Sequence, residues 1–108
     1  MGRSKYLTEL EEAALRAVMH LRDNAYGVSI GDTLEKNARR KVSLGALYRV
    51  LERLEDRGYL TARMGDPTAA RGGRAKRFYR ITGVGARALD SAEERRLRLD
   101  PQLRWREA

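Results

Sequence analysis

Six basic side chains fall between residues 63 and 80: Arg63, Arg71, Arg74, Lys76, Arg77 and Arg80. Only Asp66 opposes them, so this stretch carries five of the chain's eight net positive charges. Arginine dominates throughout: of 23 Lys and Arg, only Lys5, Lys36, Lys41 and Lys76 are lysine. A guanidinium is a planar fork of N–H donors that matches phosphate oxygens and the edge of guanine. With a sequence pI near 10.4, the chemistry on offer is the binding of a polyanion.

Catalytic constellations are missing from the same inventory. The 108 residues contain no cysteine, which removes disulfides, thiolate nucleophiles and cysteine-ligated metal sites. His20 is the one histidine, and at the end of a helical pattern it reads as a helix-end charge or packed ring rather than a ligand. There is no Walker-type loop, and Gly83 and Gly85 lack the third glycine of a dinucleotide fingerprint. We expect no enzyme, no cofactor and no metal. No run approaches the roughly 18 apolar residues of a membrane span, and the start, MGRSKYLTEL, has no apolar signal core. A cytoplasmic protein with no membrane partner is expected.

The elements that must present these arginines are legible from periodicity. Over residues 8–21, Leu7, Leu10, Ala14, Leu15, Val18 and Leu21 recur at helical spacing, and Thr8 with Glu11 forms a capping box. A shorter helix is predicted within 26–38, with Ile30 and Leu34 on one face and Ser29 or Asn24 as cap. The third helix is the clearest: Ser43 caps it, Leu44, Leu47, Val50, Leu51 and Leu54 form its stripe, and Gly58 suits a left-handed C-terminal cap. A hairpin follows. Leu60, Ala62 and Met64 alternate with polar residues, and a strand returns over 76–81. The connection GDPTAARGGRA, residues 65–75, is too long for a tight turn and stands out as a loop. Met19 and Met64 read as core. A last helix starts after Thr82 and reaches about Leu99, with Val84, Ala88, Leu89, Ala92 and Leu97 as its apolar pattern.

Three helices and then an arginine-rich hairpin is the order of a winged helix-turn-helix. The predicted fold is mainly α with a two-stranded β-hairpin, residues 1–82 forming a DNA-binding domain and 83–108 a dimerisation helix and tail. The third helix would enter the major groove of double-stranded DNA, which is wide enough for one helix. The hairpin loop would lie along the neighbouring groove. The last helix has few internal partners left, so we expect it to meet a second copy through Leu89, Ala92 and Leu97, making a homodimer. Arg49 and Arg53 have two readings, DNA contact or intrahelical pairing with Glu52, Glu55 and Asp56. Tyr48 likewise reads as a DNA contact or as a packed core edge.

VSLGALYRVLERLEDRGYL, then GDPTAARGGRAKRFYRITGVGARAL, preceded by LTELEEAALRAVMHLRDNAYGVSI, resembles the PadR-like transcriptional regulators over about residues 5–92. The resemblance implies a dimeric winged-helix protein that binds operator DNA, usually as a repressor. By position, Ser43, Tyr48 and Arg49 match the recognition helix, with Arg53 on the same helix, and Arg71, Gly72, Arg74 and Lys76 match the wing. It also implies a small hydrophobic or phenolic effector, for which Trp105 in the tail is the candidate; the alternative is that Trp105 is a surface residue. This chain carries one C-terminal helix, as the short branch of the family does. The rival reading is a basic RNA-binding or nucleoid-type protein using Arg71-Gly72-Gly73-Arg74 as a flexible contact.

Overall fold

The computed structural model describes residues 6–37, 39, 41–65 and 75–99. Four helices and one hairpin follow in order: α1 Glu9–Leu21, a 3-10 turn Arg22–Asn24, α2 Gly27–Asn37, α3 Leu44–Asp56, β1 Leu60–Met64, β2 Arg77–Ile81 and α4 Gly83–Leu99. This is the winged helix-turn-helix arrangement that the sequence predicts. Among the described residues no helix is long and apolar enough to cross a membrane.

Local chemistry sets most element ends. Thr8 Oγ1 accepts from the Glu11 amide while the Glu11 carboxylate accepts from the Thr8 amide, closing the capping box. At α3, Ser43 Oγ accepts from the Ala46 amide at 3.2 Å. The chain leaves α3 through Gly58, whose φ of +80° is the left-handed value the C-terminal cap needs. Thr82 starts α4 by accepting from the Gly85 amide. Helix α2 starts at Gly27, inside the expected span. Tyr26 is not helical: its backbone bridges to Phe78, and the Tyr79 amide donates to the Ala25 carbonyl at 2.8 Å. Ser29 therefore acts from inside the first turn, where Oγ accepts from the Tyr26 amide and donates to the Asn24 carbonyl.

One core joins all of this. Leu15 and Val18 of α1, Ile30 and Leu34 of α2, and Leu47, Leu51 and Leu54 of α3 are sealed with Leu60, Tyr79 and Leu89. Three expectations are corrected by this packing. Leu44 is about half exposed, because helical rotation carries it about 70° from the mean direction of Leu47, Val50, Leu51 and Leu54. Met19 and Met64 are also exposed; Met19 points off the α1 core face, and Met64 ends β1 where the hairpin has left the core. The stripe of α4 does have a partner within the chain. Leu89 is 3% exposed within the main core and Ala92 is 4% exposed. Gly85 lets α4 approach closely: a Cβ there would lie 2.4 Å from the Tyr59 carbonyl oxygen.

Charges clamp α4 to α1. Glu12 takes hydrogen bonds from Arg16, at 3.1 Å through Nη2, and from Arg96. Burial pushes the Glu12 carboxyl up, but the Arg96 and Arg16 guanidiniums outweigh it, so the group sits below its ordinary value of 4.5. Its folded pKa is depressed, so its contribution to stability is complete above about pH 4.5 and lost as pH falls through the depressed value. Glu12→Gln should therefore lower the thermal midpoint at neutral pH, and the difference from the parent chain should vanish in acid. A difference that persists unchanged below about pH 3 would show that the charge is not what clamps α4.

Candidate nucleic-acid interface

Helix α3 has a core face, an outward line and two flanks. Leu47, Val50, Leu51 and Leu54 face the core. Opposite them, at helical spacing, Gly45, Arg49, Glu52 and Asp56 form an exposed outward line. Arg49 makes no ion pair or hydrogen bond among the described residues, so none of Glu52, Glu55 and Asp56 holds it. Ser43 lies exposed at the start of this helix with its hydroxyl engaged in capping.

The two flanks of α3 are occupied. Tyr48 lies over the first turn of α2, where a Cβ on Gly27 would come within 2.2 Å of the Tyr48 hydroxyl. The glycine makes room for the ring, and 45% of Tyr48 remains exposed. Tyr48 is thus a packed edge with an accessible face. Arg53 has an ion-pair partner outside its own helix rather than the intrahelical one expected. It turns away from the outward line to Glu11 of α1, Nε to Oε2 at 3.6 Å. Glu11 is 4% exposed and also meets Arg57 Nη1 at 3.5 Å. A buried carboxylate needs cationic partners, and Arg53 and Arg57 supply them from α3 and the turn after it.

Strands β1 and β2 pair antiparallel from Leu60↔Ile81 to Met64↔Arg77. Beside them a cation–aromatic stack orders the base of the wing. Arg63 lies over the Phe78 ring at 4.8 Å, Phe78 meets Tyr26 edge-on at 5.5 Å, and Lys76 Nζ sits 4.2 Å over Tyr26. Sequence spacing marks Tyr26 only as a helix start, and nothing in it links Tyr26 to Phe78. The other two described wing cations are paired. Arg80 Nη2 meets Asp23 at 2.5 Å, and Arg77 Nη2 meets Glu55 at 2.8 Å. The Glu55 hydrogen bond holds the Arg77 guanidinium above its ordinary value, and burial pushes the Tyr79 phenol up. Arg71, Gly72, Arg74 and Trp105 lie outside the described residues.

A groove of about 320 Å³ runs between α1 and α2, lined by Ala13, Ala17, His20, Thr33, Leu34 and Asn37 among others. Its position in the last turn of α1 places His20 where a helix-end charge belongs.

Comparison with known proteins agrees with this geometry. The family model described as "Transcriptional regulator PadR-like family" matches residues 17–91. A PadR-like transcription factor from Bacteroides fragilis shares 27% identity at a TM-score of 0.72, covering 88% of this chain and 86% of that one. A PadR family transcriptional regulator from Eggerthella lenta shares 26% identity at 0.65, covering 84% and 79%. One from Clostridium difficile is similar in fold, with a TM-score of 0.71 at 19% identity over 89% and 94%. Curated proteins give no significant match. The family is one of transcriptional regulators rather than enzymes, and its model runs from the last part of α1 into the middle of α4, including every described residue of α2, α3 and the hairpin. The chain belongs to the PadR-like family of transcriptional regulators.

Proposed function

We propose that this regulator is a dimeric, sequence-specific repressor, cytoplasmic and released from its operator by a small apolar or aromatic molecule. One observation carries the DNA-reading part: Arg49 stands exposed and unpaired among the described residues on the outward line of α3, beside Gly45, which adds no side chain to the surface. A helix whose outward line opens on a glycine and carries an unpaired guanidinium one turn on is suited to the floor of a major groove. Ser43 and the exposed face of Tyr48 flank that turn. Lys76 and Arg63, held on aromatic rings, and Arg71, Gly72 and Arg74 of the loop supply backbone contacts.

Two half-sites about one helical turn apart require a two-fold pair, and a single module offers only about 600–1,000 Å² to DNA. Leu89 and Ala92 are engaged in the chain's own core, so the pairing surface is assigned to the end of α4, at Leu97 and the 83%-exposed Leu99. The groove between α1 and α2 is of a size that admits a small effector, and Trp105 remains the aromatic candidate of the tail.

The test is duplex binding at several salt concentrations, with operator fragments first selected on the purified protein. Arg49→Ala should cost about 1–3 kcal/mol on the operator and much less on random duplex. Replacing Arg71 and Arg74 together should weaken both duplexes and flatten the log–log salt slope by about 0.9 for each phosphate no longer neutralised. Equal losses on both duplexes for Arg49→Ala would make Arg49 a phosphate contact. Tighter binding to single-stranded RNA than to any duplex would favour the RNA-binding reading.

A further inference from the structure

A second groove, of about 420 Å³, lies between α3 and β2, directly beside the outward line. Arg49 and Arg77 share it with the carboxylates of Glu52, Glu55 and Asp56. Only one of these cations is occupied. Arg77 Nη2 sits between both oxygens of Glu55, at 3.0 and 2.8 Å, whereas Arg49 has no partner among the described residues. Carboxylate and phosphate oxygens compete for the same guanidinium donors. One face of the molecule thus holds a cation open to a phosphate and a cation already holding an internal anion.

We infer that Glu55 is an internal stand-in for a DNA phosphate: it keeps Arg77 out of sequence-independent contacts and so lowers the affinity of this regulator for random duplex. The inference rests on the reading of α3 and the hairpin as the DNA face. The strength of the pair suits the role. Its side chains are 47% and 30% exposed, and pairs this exposed hold by about fivefold or less. A phosphate fixed in place by the rest of a cognate site displaces Glu55, while a loosely held one does not. The Tyr79 ring lies 5.9 Å from the Arg77 guanidinium, a second contact for that group beside the groove. The competing explanation is a simple brace between α3 and β2. The two differ in sign: a brace removed loosens the DNA face and weakens binding, whereas a stand-in removed frees a cation and strengthens it.

The experiment measures random-duplex affinity between about 50 and 200 mM salt for the full chain, Glu55→Gln, Arg77→Ala and the double variant. Glu55→Gln is isosteric and surface-placed. It should bind about two- to fivefold tighter, with a log–log salt slope steeper by about 0.9, the signature of one more neutralised phosphate. Arg77→Ala alone should stay within about twofold of the parent, and it should abolish the tighter binding when combined with Glu55→Gln. Unchanged or weaker binding by Glu55→Gln overturns the proposal in favour of the brace. Tighter binding that survives intact in the double variant also overturns it, because then only a repelling charge has been removed. If the parent chain itself binds duplex without salt dependence, the DNA-face reading falls first and the proposal falls with it; the parent's own slope therefore tells the two failures apart.

Discussion

Leu89→Ala is expected to lower folding stability by about 2–5 kcal/mol, the cost of a cavity left by a fully buried leucine. Leu89 is sealed in the core that it shares with α1, α3 and the hairpin, so the loss falls on folding rather than on association. Urea unfolding followed by circular dichroism, at one protein concentration for all variants, reads it. Leu99→Ala is the control. That side chain is 83% exposed, and its removal should leave folding within about 0.5 kcal/mol while shifting sedimentation toward monomer if the end of α4 joins two copies. By the same argument a chain ending at Thr82 should lose its cooperative transition rather than persist as a folded monomer. A Leu89→Ala variant that unfolds like the parent but fails to self-associate would return Leu89 to the interface.

Glu11→Ala should be nearly as damaging, at about 3 kcal/mol, because it removes one partner from a buried set of charges. Glu11 does two jobs with one carboxylate. It accepts from the Thr8 amide at 2.8 Å, and it faces Arg53 and Arg57 across the α1–α3 contact. Glu11→Gln separates them: the amide oxygen still completes the capping box, but the charge is gone. Its stability should fall between those of the parent and Glu11→Ala in thermal unfolding. If Glu11→Gln matches the parent, the cap carries the whole effect and the two arginines add nothing. If it matches Glu11→Ala, the charge carries it. In the latter case Arg49→Ala should also discriminate less between operator and random duplex in the Glu11→Gln background, since the seat of α3 on α1 is what aims Arg49.

What the sequence determined on its own was whatever depends on near neighbours. Helical stripes repeat every three or four residues, so the four helices and their buried positions were legible at Leu15, Ile30, Leu51 and Leu89. Caps act over three residues, so Thr8 with Glu11, Ser43, Gly58 and Thr82 could be named from spacing alone. The charge of the wing and the outward placement of Arg49 followed from the same arithmetic. What only the tertiary structure decided was the use of each charge and each apolar face. Arg80 and Asp23 stand 57 positions apart, and Arg77 and Glu55 stand 22 apart. No local period links such residues, so a run that sequence reads as uniformly basic resolves, among its described members, into two ring-held cations and two paired ones. Arg53 differs from Arg49 by one turn of the same helix, yet the rotation of that turn hands it to Glu11 on α1 instead of the outward line. The stripe of α4 was visible, but its partner was not, because an amphipathic face states that it must be covered and not by which chain. Folding α4 back over Tyr59 and Ile81 through the side-chain-free Gly85 covered Leu89 from within.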